Sequence, residues 1–280
     1  MYIHHRQLPL MAALALATAS FGASAPVGLR VRPMSFEGAP VLVLHVTSGA
    51  KILPVAGRPG KTVLEWARSR HAEAAINGGY FNHSDGFAVS AVRADGKPLT
   101  HPRRNRALLD NPVLRPLLGR IFEARSEWRA LAGPQGIRWA IAPHDAPVAP
   151  PWRVVDSLQA GPSLLPAPAL VDEGFVIERK GVVLHDGIGS ASRAARSALG
   201  LDASGNMLLV VAARPGLTMT QLSGLMSRLG ARRAMALDGG SSSAIAYRTR
   251  GGWRTFVGET TARVNSALLV MPQAPATHRR

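Results

Sequence analysis

Length, composition and charge narrow the class of protein before any motif is considered. The chain has 280 residues, of which 46% are hydrophobic and 18% charged, so it is long enough to bury a core and does not belong to the disordered class. It contains no cysteine, which excludes disulfides, thiolate metal ligands and a cysteine nucleophile.

The basic charge has three interpretations. The 33 Lys and Arg residues outnumber the 17 Asp and Glu residues, which gives a formal net charge of +16. Such a charge fits a nucleic-acid partner, an anionic glycan, phosphodiester or membrane surface, or a solvated basic face without a specific partner. No arginine-rich helix or stacking-aromatic motif is present and aromatic residues make up only 5%, so we expect no nucleic-acid partner. The other two interpretations stay open.

The first 25 residues are typical of a signal peptide. The basic start MYIHHRQ is followed by the apolar stretch LPLMAALALATASF, which is too short to span a bilayer comfortably. Ala23-Ser24-Ala25 fits the A-x-A cleavage pattern, with Ala17-Thr18-Ala19 as a second possible site and an uncleaved anchor as the alternative. The pattern predicts export to the periplasm or the medium. No later segment is apolar and long enough to cross a membrane.

Residues 26–152 alternate between clear and weak signals. An apolar run over residues 40–47 predicts a buried strand, and Thr62 to Arg70 predicts a short helix with Thr62 as its N-cap. Asp95-Gly96 lies between alternating residues and indicates a hairpin. Residues 100–152 are rich in Pro and Arg. We interpret them as an irregular insertion of loops and short helices, either facing a substrate or forming a variable surface.

From residue 154 the signals become stronger. Gly161-Pro162 predicts a turn, and strands are expected over residues 175–184, 197–201, 206–212 and near 264–271. Thr218 and Gln221 form a capping-box pair that begins an amphipathic helix, and Gly230 ends it. We therefore predict one α+β domain over residues 26–272, with mixed or antiparallel sheets, packed helices and a pocket at strand ends. The tail, residues 273–280, is predicted to be disordered.

Two Gly-Gly turns are the main candidates for a functional site. The stretches INGGYFN and AMALDGGSSS each place a polar residue, Asn77 or Asp238, at the end of an apolar strand and directly before two glycines. Each is also preceded by a predicted helix and a Ser-Arg pair, which suggests a pseudo-repeat. Glycines permit positive φ and close approach of a ligand to backbone N–H groups. A plain hairpin with a polar tip is the alternative for either motif alone.

Five blocks in the same order resemble the phosphodiester glycosidase family: INGGYFN, LQAGPSLL, RSALG, ALDGGSSS and RVNSALLV. The resemblance runs from about Ala72 to Val270. One departure is visible, because Ser241 stands where the family usually has a third glycine. Residues 100–152 match no motif of the family.

The resemblance implies hydrolysis of the bond between a sugar's anomeric carbon and a phosphodiester oxygen. It implies that Asp238 is the catalytic carboxylate, that Arg196 grips the phosphate, and that Asn77 orients a sugar hydroxyl or the water. The other residues implied to bind substrate, through backbone N–H groups or polar side chains, are Gly78, Gly79, Gln159, Gly239, Gly240, Ser241 and Ser242. A turn-capping role for Asp238 and a surface role for Arg196 are the alternatives.

A second carboxylate is harder to assign. Asp156, Glu73 and Glu259 are candidates, each with a structural role as the alternative. Arg263 and Asn265 match the last block, in a role that supports the core.

Other chemistries fit the sequence poorly. GGSSS lacks the G-x-S-x-G spacing of a serine hydrolase, and the nine histidines are scattered. We expect no cofactor, although a divalent cation near Asp238 stays open. The prediction is a hydrolase that releases free sugar and a phosphomonoester from an envelope or extracellular polysaccharide. The alternative is a non-catalytic protein that binds anionic glycans during polysaccharide assembly or export. The sequence leaves the oligomeric state open.

Overall fold

The computed structural model describes residues 28–272, and antiparallel strands dominate this part of the chain. The predicted signal peptide and the predicted C-terminal tail lie outside the described residues. The strands form three large sheets and one isolated hairpin. Sheet 1 has the strand order β1-β2-β14-β13-β15-β10 and consists of β1 Leu29–Phe36, β2 Ala39–Val46, β10 Ser163–Leu165, β13 Ala194–Asp202, β14 Met207–Leu217 and β15 Ala231–Ala236.

Two five-stranded sheets complete the core. Sheet 2 has the order β17-β16-β4-β18-β3 and consists of β3 Ile52–Lys61, β4 Ala74–Asn77, β16 Ala244–Thr249, β17 Gly252–Val257 and β18 Val264–Val270. Sheet 3 has the order β6-β5-β9-β7-β8 and consists of β5 Val92–Ala94, β6 Lys97–Thr100, β7 Ser126–Gly133, β8 Gly136–Pro143 and β9 Arg153–Gln159. The isolated hairpin pairs β11 Val176–Arg179 with β12 Val182–Asp186.

One apolar core joins the three sheets. It contains Leu44 and Leu199 from sheet 1, Ile76 from sheet 2, and Trp128 and Leu158 from sheet 3, all fully buried. Burial of large side chains from every sheet provides the main favourable contribution to folding. The three sheets therefore fix one another, and the strand ends of sheets 1 and 2 lie on a rigid support.

Two short helices cover the outer faces of sheets 1 and 2. Helix α1, Val63–Ser69, is capped by Thr62 and Glu65 in a capping box, and its Trp66 packs in a second apolar cluster on sheet 2. After α2, the single turn Arg106–Leu109, comes α3, Met219–Arg228, which is capped by Thr218 and Gln221 and covers sheet 1. The predicted helices and both predicted N-caps are confirmed. The hairpin turn at Asp95-Gly96 is also confirmed, since both residues have positive φ between β5 and β6.

The predicted α+β class is wrong. Nearly half of the residues lie in strands, the sheets are antiparallel, and helices account for only 15%. Capped helices with a 3.6-residue period are conspicuous in a sequence, whereas many of these strands read as plain apolar runs. Strand β7 is harder still to recognise, because it carries a buried ion pair between Glu127 and Arg129, at 2.8 Å, in a segment that looked irregular.

Residues 100–152 contain regular structure. Short helical segments over Pro102–Arg104, Arg115–Leu117 and Arg120–Ala124 lead into the hairpin of β7 and β8. This hairpin completes sheet 3 through its pairing with β9.

No helix within residues 28–272 is long and apolar enough to cross a membrane.

Candidate functional site

The two Gly-Gly motifs meet at the ends of β4 and β15. The backbone N–H of Asp238 donates to Gly78 O at 3.0 Å, and the Asn77 side-chain Nδ2 donates to Asp238 O at 2.7 Å. Because β4 belongs to sheet 2 and β15 to sheet 1, these bonds join two sheets. The pseudo-repeat of helix, strand and Gly-Gly therefore corresponds to two equivalent units whose polar ends come together.

Asn77 is fully buried and its side chain is engaged within the protein. Its Oδ1 accepts from Ser197 Oγ at 2.7 Å and from Ala244 N at 3.2 Å, while its Nδ2 holds the carbonyl of Asp238. These three bonds fix the position of Asp238. The predicted role in orienting substrate stays a prediction, but the described contacts are those of a positioning residue.

Gly78 and Gly79 are also engaged in packing. Their N–H groups donate to Ser266 O and Ser266 Oγ at 2.9 and 3.0 Å. A Cβ atom at Gly78 would overlap Ser266 Oγ, and one at Gly79 would overlap Gln159 O. Glycine is therefore required here by close backbone approach, and these N–H groups are already used.

Asp238 and the serines after it have unused polar atoms. Residues 28–272 contain four buried side-chain polar atoms without a hydrogen-bond partner, and three of them are Asp238 Oδ2, Ser242 Oγ and Ser243 Oγ. Buried polar atoms in native proteins are normally paired, so such a cluster indicates a place for a ligand or water. Gly240 has a φ of +60°, and a Cβ there would meet open space. Ser241 is partly exposed beside it.

Burial raises the pKa of the Asp238 carboxyl to about 7. The nearby Ser242 hydroxyl and the Gly239 N–H oppose this rise, but they do not cancel it. A carboxyl group with a pKa near neutrality can both accept and release a proton under physiological conditions, which suits a general base.

Arg196 lies against Gly239, with its guanidinium bound mainly to backbone carbonyls. Its Nε, NH1 and NH2 atoms donate to Leu217 O, Ile188 O, Gly189 O and Ser192 O at 2.7–3.0 Å. An arginine has five N–H donors, so one remains, and its NH1 atom lies 3.7 Å from where a Gly239 Cβ would be. A bidentate grip on phosphate requires two free donors. The described bonds therefore give Arg196 a role in holding the 188–192 loop.

Gln159 is fully buried and points away from solvent. Its Oε1 accepts from Ala91 N at 3.0 Å, and its Nε2 donates to Ile121 O and Phe122 O. Its side chain ties sheet 3 to the 120–124 turn. Only its backbone carbonyl approaches the Gly-Gly motif, at Gly79.

Tyr80 was missed by the sequence analysis although it lies within INGGYFN. Its hydroxyl donates to Gly161 O at 2.9 Å, and it also lies 3.4 Å from Leu237 O. Burial raises the pKa of Tyr80, and the charge of Asp238 raises it further, while Arg125 and Arg196 lower it. The Tyr80 hydroxyl therefore lies beside the end of β15, and the Arg125 guanidinium lies 5.8 Å from the centroid of its ring.

Arg125 was also missed, and no motif marks it. It is only 6% exposed, yet its guanidinium makes a single hydrogen bond to the described part of the protein, from Nε to Glu173 O at 3.4 Å. Within residues 28–272, no carboxylate lies within 4.0 Å of its guanidinium. Its plane lies 4.1 Å from the Phe175 ring and 5.8 Å from the Tyr80 ring. Burial lowers the pKa of Arg125 to about 10, so it remains a cation at neutral pH.

The NH1 and NH2 groups of Arg125 have no acceptor in the described part of the protein, and they are not among the fully buried unpartnered atoms, so they face open space while the rest of the side chain is buried. An anion in front of NH1 and NH2 would compensate that charge, and a phosphate can accept both groups together. Arg125 thus has the free donors that Arg196 lacks.

Of the three proposed second carboxylates, two lie away from Asp238 and the third is already paired with an arginine. Glu73 precedes β4 and lies at the opposite end of that strand from Asn77, roughly 13 Å away. Asp156 accepts from Asp95 N at 2.7 Å and lines a separate cavity, and Glu259 forms an ion pair with Arg214 at 2.6 Å.

Glu173 is a further carboxylate that acts on Tyr80, and no sequence motif marks it. It accepts from Ser126 N, Ser126 Oγ and Ser163 N at 2.7–2.9 Å and packs against Gly161. Burial raises the pKa of Glu173, and these hydrogen bonds oppose the rise. With three donors already bound, Glu173 serves to hold the strand ends around the site.

No group of three or more His, Asp or Glu side chains in the described part of the chain is arranged to hold a metal ion.

Comparison with known proteins identifies the family. A sequence model of the phosphodiester glycosidase family matches residues 70–271, which is most of the chain. The protein belongs to this family. A search of curated protein sequences gives no match.

Solved structures with the same fold include three distant relatives. A hypothetical protein from Synechocystis is 17% identical with a TM-score of 0.57, over 88% of this chain and 62% of that one. This chain therefore spans less than two thirds of the Synechocystis protein. The catalytic domain of zebrafish N-acetylglucosamine-1-phosphodiester alpha-N-acetylglucosaminidase, auto-inhibited by its pro-peptide, is 15% identical with a TM-score of 0.59, over 88% and 82% of the two chains.

A candidate exported protein from Burkholderia pseudomallei K96243 is 15% identical with a TM-score of 0.60, over 84% of this chain and 75% of that one. At these identities the three structures support the fold alone.

Proposed function

We propose that the protein hydrolyses sugar-1-phosphodiester bonds and releases free sugar and a phosphomonoester. The observation that carries this proposal is the unpartnered Asp238 Oδ2, which is buried beside two unpartnered serine hydroxyls and has a pKa of about 7. A turn-capping aspartate would have both oxygens bound to backbone N–H groups and a low pKa, whereas Asp238, with only the Gly239 N–H and the Ser242 hydroxyl near it, keeps a raised pKa. Membership of the phosphodiester glycosidase family supports the same reaction class.

In the proposed reaction Asp238 acts as the base. Its carboxylate takes a proton from a water molecule while the water oxygen attacks the anomeric carbon. The bond between that carbon and the phosphodiester oxygen breaks, and its electron pair leaves with the phosphate. The second proton of the water stays on the new anomeric hydroxyl, so the products are the free sugar and a phosphomonoester.

The leaving group needs charge stabilisation more than protonation, because a phosphomonoester is already a stable anion. Arg125 supplies a buried cation with free NH1 and NH2 donors, and the remaining N–H of Arg196 lies near Gly239. Preorganised donors in a site with little water stabilise developing negative charge strongly. We propose that Ser241, Ser242 and the Gly240 backbone bind the sugar hydroxyls; the unpartnered Ser242 hydroxyl and the open space at Gly240 support this role.

We also propose that the substrate is an exported or envelope glycan. The signal-peptide pattern of residues 1–25 and the net charge of +16 support this location and an anionic substrate. Attraction of this kind weakens as salt is added.

The test measures free reducing sugar and new phosphomonoester together, using purified protein and a panel of sugar-1-phosphodiesters that includes an N-acetylglucosamine-1-phosphodiester. Equal release of both products is expected, with kcat/KM lowered about 10²–10⁴-fold in Asp238→Asn. The matched control is Asp110→Asn, which changes an exposed carboxylate at the end of α2.

Release that survives in Asp238→Asn would keep the reaction and overturn the role of Asp238. If the folded protein binds the anionic glycans but releases nothing across the panel, the non-catalytic glycan-binding function replaces the hydrolase.

A further inference from the structure

A cavity of about 200 Å³, apolar over most of its lining but flanked by cationic side chains, opens beside the start of β18. We call it the Arg58 pocket. The residues that give it its chemistry are Arg58, Phe87, Thr100, His101, Arg104 and Asn265. None of them belongs to the site at Asp238.

The Arg58 guanidinium is oriented by an aromatic ring and forms no ion pair with a carboxylate in the described residues. Its guanidinium lies 3.8 Å from the centroid of the Phe87 ring, which orients its plane. Arg58 is exposed and makes no hydrogen bond to the described part of the protein, so all five of its N–H donors are available. Phe87 is 39% exposed and offers an apolar face beside these donors.

His101 and Arg104 add donors on the other side of the pocket. Arg104 ends the helical turn Pro102–Arg104 and is exposed. His101 Nδ1 accepts from Arg103 N at 3.1 Å, so the proton of the neutral ring lies on Nε2, where it can be donated. Burial lowers the pKa of His101, and the charges of His144, Arg103 and Arg104 lower it further.

No carboxylate neutralises the pocket. Within residues 28–272, neither Arg58 nor Arg104 has an Asp or Glu oxygen within 4.0 Å, and no acidic residue lines the cavity. Asp85, which adjoins the lining residue Gly86 along the chain, accepts the N–H of Phe87 at 2.8 Å and pairs with neither arginine. Two unpaired arginines beside an aromatic face favour an anionic ligand that also presents an apolar ring face.

Hydrogen bonds link the wall of the Arg58 pocket to the residues that hold the candidate active site in position. Asn265 donates from Nδ2 to Gly86 O on the pocket wall. The next residue, Ser266, accepts from both Gly78 N and Gly79 N, and Gly78 in turn accepts from Asp238 N. The pocket therefore lies at the same end of β18 and β4 as Asp238.

We propose that the Arg58 pocket binds an anionic sugar residue of the glycan chain, one that carries a carboxylate or a phosphate. The identification of this chain as the one cleaved at Asp238 rests on the proposed function. The anion site itself does not, because it is built from different residues. The proposed substrate class is then a polyanionic glycan whose charged residues bind both at the Asp238 site and in the Arg58 pocket.

The test measures binding by calorimetry at low salt with the full-length Asp238→Asn protein, which cannot consume the ligand. The probes are trigalacturonate, which carries carboxylates, glucose 6-phosphate, which carries a phosphate, and neutral maltotriose. We expect one or both anions to bind and maltotriose not to bind. In Arg58→Gln/Arg104→Gln the dissociation constant should rise about tenfold or more, because charged hydrogen bonds are lost. Arg250→Gln, which changes an exposed arginine in the turn between β16 and β17, should leave it unchanged.

If Arg250→Gln weakened anion binding as much as the double variant, the binding would be a diffuse attraction to the basic surface, and the proposed anion site would be overturned. A failure of both anions to bind, or retention of full affinity in the double variant, would also overturn it. Arg104→Gln alone, on a different element from Arg58, serves if the double variant misfolds. Failure of the hydrolase proposal leaves this result intact, because no turnover is measured; loss of binding here leaves the release of sugar at Asp238 untouched.

Discussion

The two Gly-Gly motifs have the same local form and opposite surroundings. At the end of β4, Asn77 makes three hydrogen bonds and Gly78 and Gly79 are packed against other backbone. At the end of β15, Asp238 Oδ2 has no partner and Gly240 faces open space. The first motif is saturated and the second is not. The two copies of the pseudo-repeat therefore have different roles. The Asn-Gly-Gly copy holds the Asp-Gly-Gly copy in position, and the Asp-Gly-Gly copy keeps its polar atoms free.

The different surroundings of the two motifs also explain why one carries an asparagine and the other an aspartate. An amide can donate and accept at once, which Asn77 does in joining two sheets, whereas a carboxylate accepts only. A carboxylate placed in the Asn77 environment would face the carbonyl of Asp238 with no proton to donate. An amide at Asp238 would satisfy the turn but could not take a proton.

The largest expected effect is a difference in the free energy of unfolding between two glycine variants, Gly79→Ala and Gly240→Ala. Gly79→Ala should lower the free energy of unfolding by about 3 kcal/mol or more, because the new Cβ overlaps Gln159 O, a backbone atom that cannot move cheaply. Gly240→Ala should cost only about 1 kcal/mol, for the positive φ, and should raise KM by placing a methyl group in the site. Urea unfolding and steady-state kinetics measure the two effects.

Gly230→Ala is the control for the glycine comparison. Gly230 also has a positive φ with open space around it, and it lies at the end of α3, so this variant should match the stability cost of Gly240→Ala and keep full activity. A Gly79→Ala protein as stable as the wild type would contradict the saturated role of the first motif.

Local signals predicted much of this arrangement. The caps of α1 and α3, the hairpin at Asp95-Gly96 and the two Gly-Gly turns depend on residues close in the chain, and all could be identified from the sequence. The fold class could not, because β7 buries two charged residues, Glu127 and Arg129, as an ion pair along the same strand, in a segment that reads as irregular.

The role of Arg125 was hidden for a related reason. Its lack of a carboxylate partner is a property of tertiary packing, so nothing in its neighbours along the chain marks it among 33 basic residues. Arg196 stood in a recognisable block, but its four carbonyl partners come from the 188–192 loop and from β14. Tyr80 was within reach of sequence reasoning, since it follows Gly79 directly.

Arg196 and Arg125 differ in the same way as the two motifs: Arg196 has nearly all of its hydrogen-bond donors occupied, whereas Arg125 has most of them free. Arg125→Met should lower kcat/KM about 10²–10³-fold, because a donor to the developing charge is lost. Its stability should change little, because the arginine has a single long hydrogen bond and its charge is buried without a partner. Arg196→Met should instead lower the thermal midpoint, because the four carbonyls of its loop and strand lose their donors.

Kinetics and thermal unfolding of both arginine variants, measured on the same preparations, test this comparison. Arg125→Lys is the matched variant that keeps the charge but removes the bidentate geometry, and it should recover only part of the activity. Wild-type kcat/KM in Arg125→Met would remove this residue from the phosphate site.

The last comparison exchanges acid and amide between the two motifs and follows the stability of each variant against pH. Because burial raises the pKa of Asp238 from 3.8 to about 7, the folded protein holds this proton more tightly than the unfolded chain does. Between about pH 4 and pH 7 the stability contributed by this group is therefore lost as pH rises. Asp238→Asn removes the titration, so its thermal midpoint should exceed that of the wild type by about 2–4 °C at pH 8 for each kcal/mol recovered, and match it near pH 4.

Asn77→Asp should behave in the opposite way and lower the midpoint at pH 8, since a carboxylate oxygen would replace the Nδ2 donor that holds Asp238 O. Lowering the pH should recover part of that loss, because the protonated acid can donate again. Thermal unfolding from pH 4 to 8 measures both variants beside the wild type. A midpoint of Asp238→Asn that tracks the wild type at every pH would mean that the Asp238 carboxylate is well solvated, and the base at the centre of the proposed reaction would then lack its raised pKa.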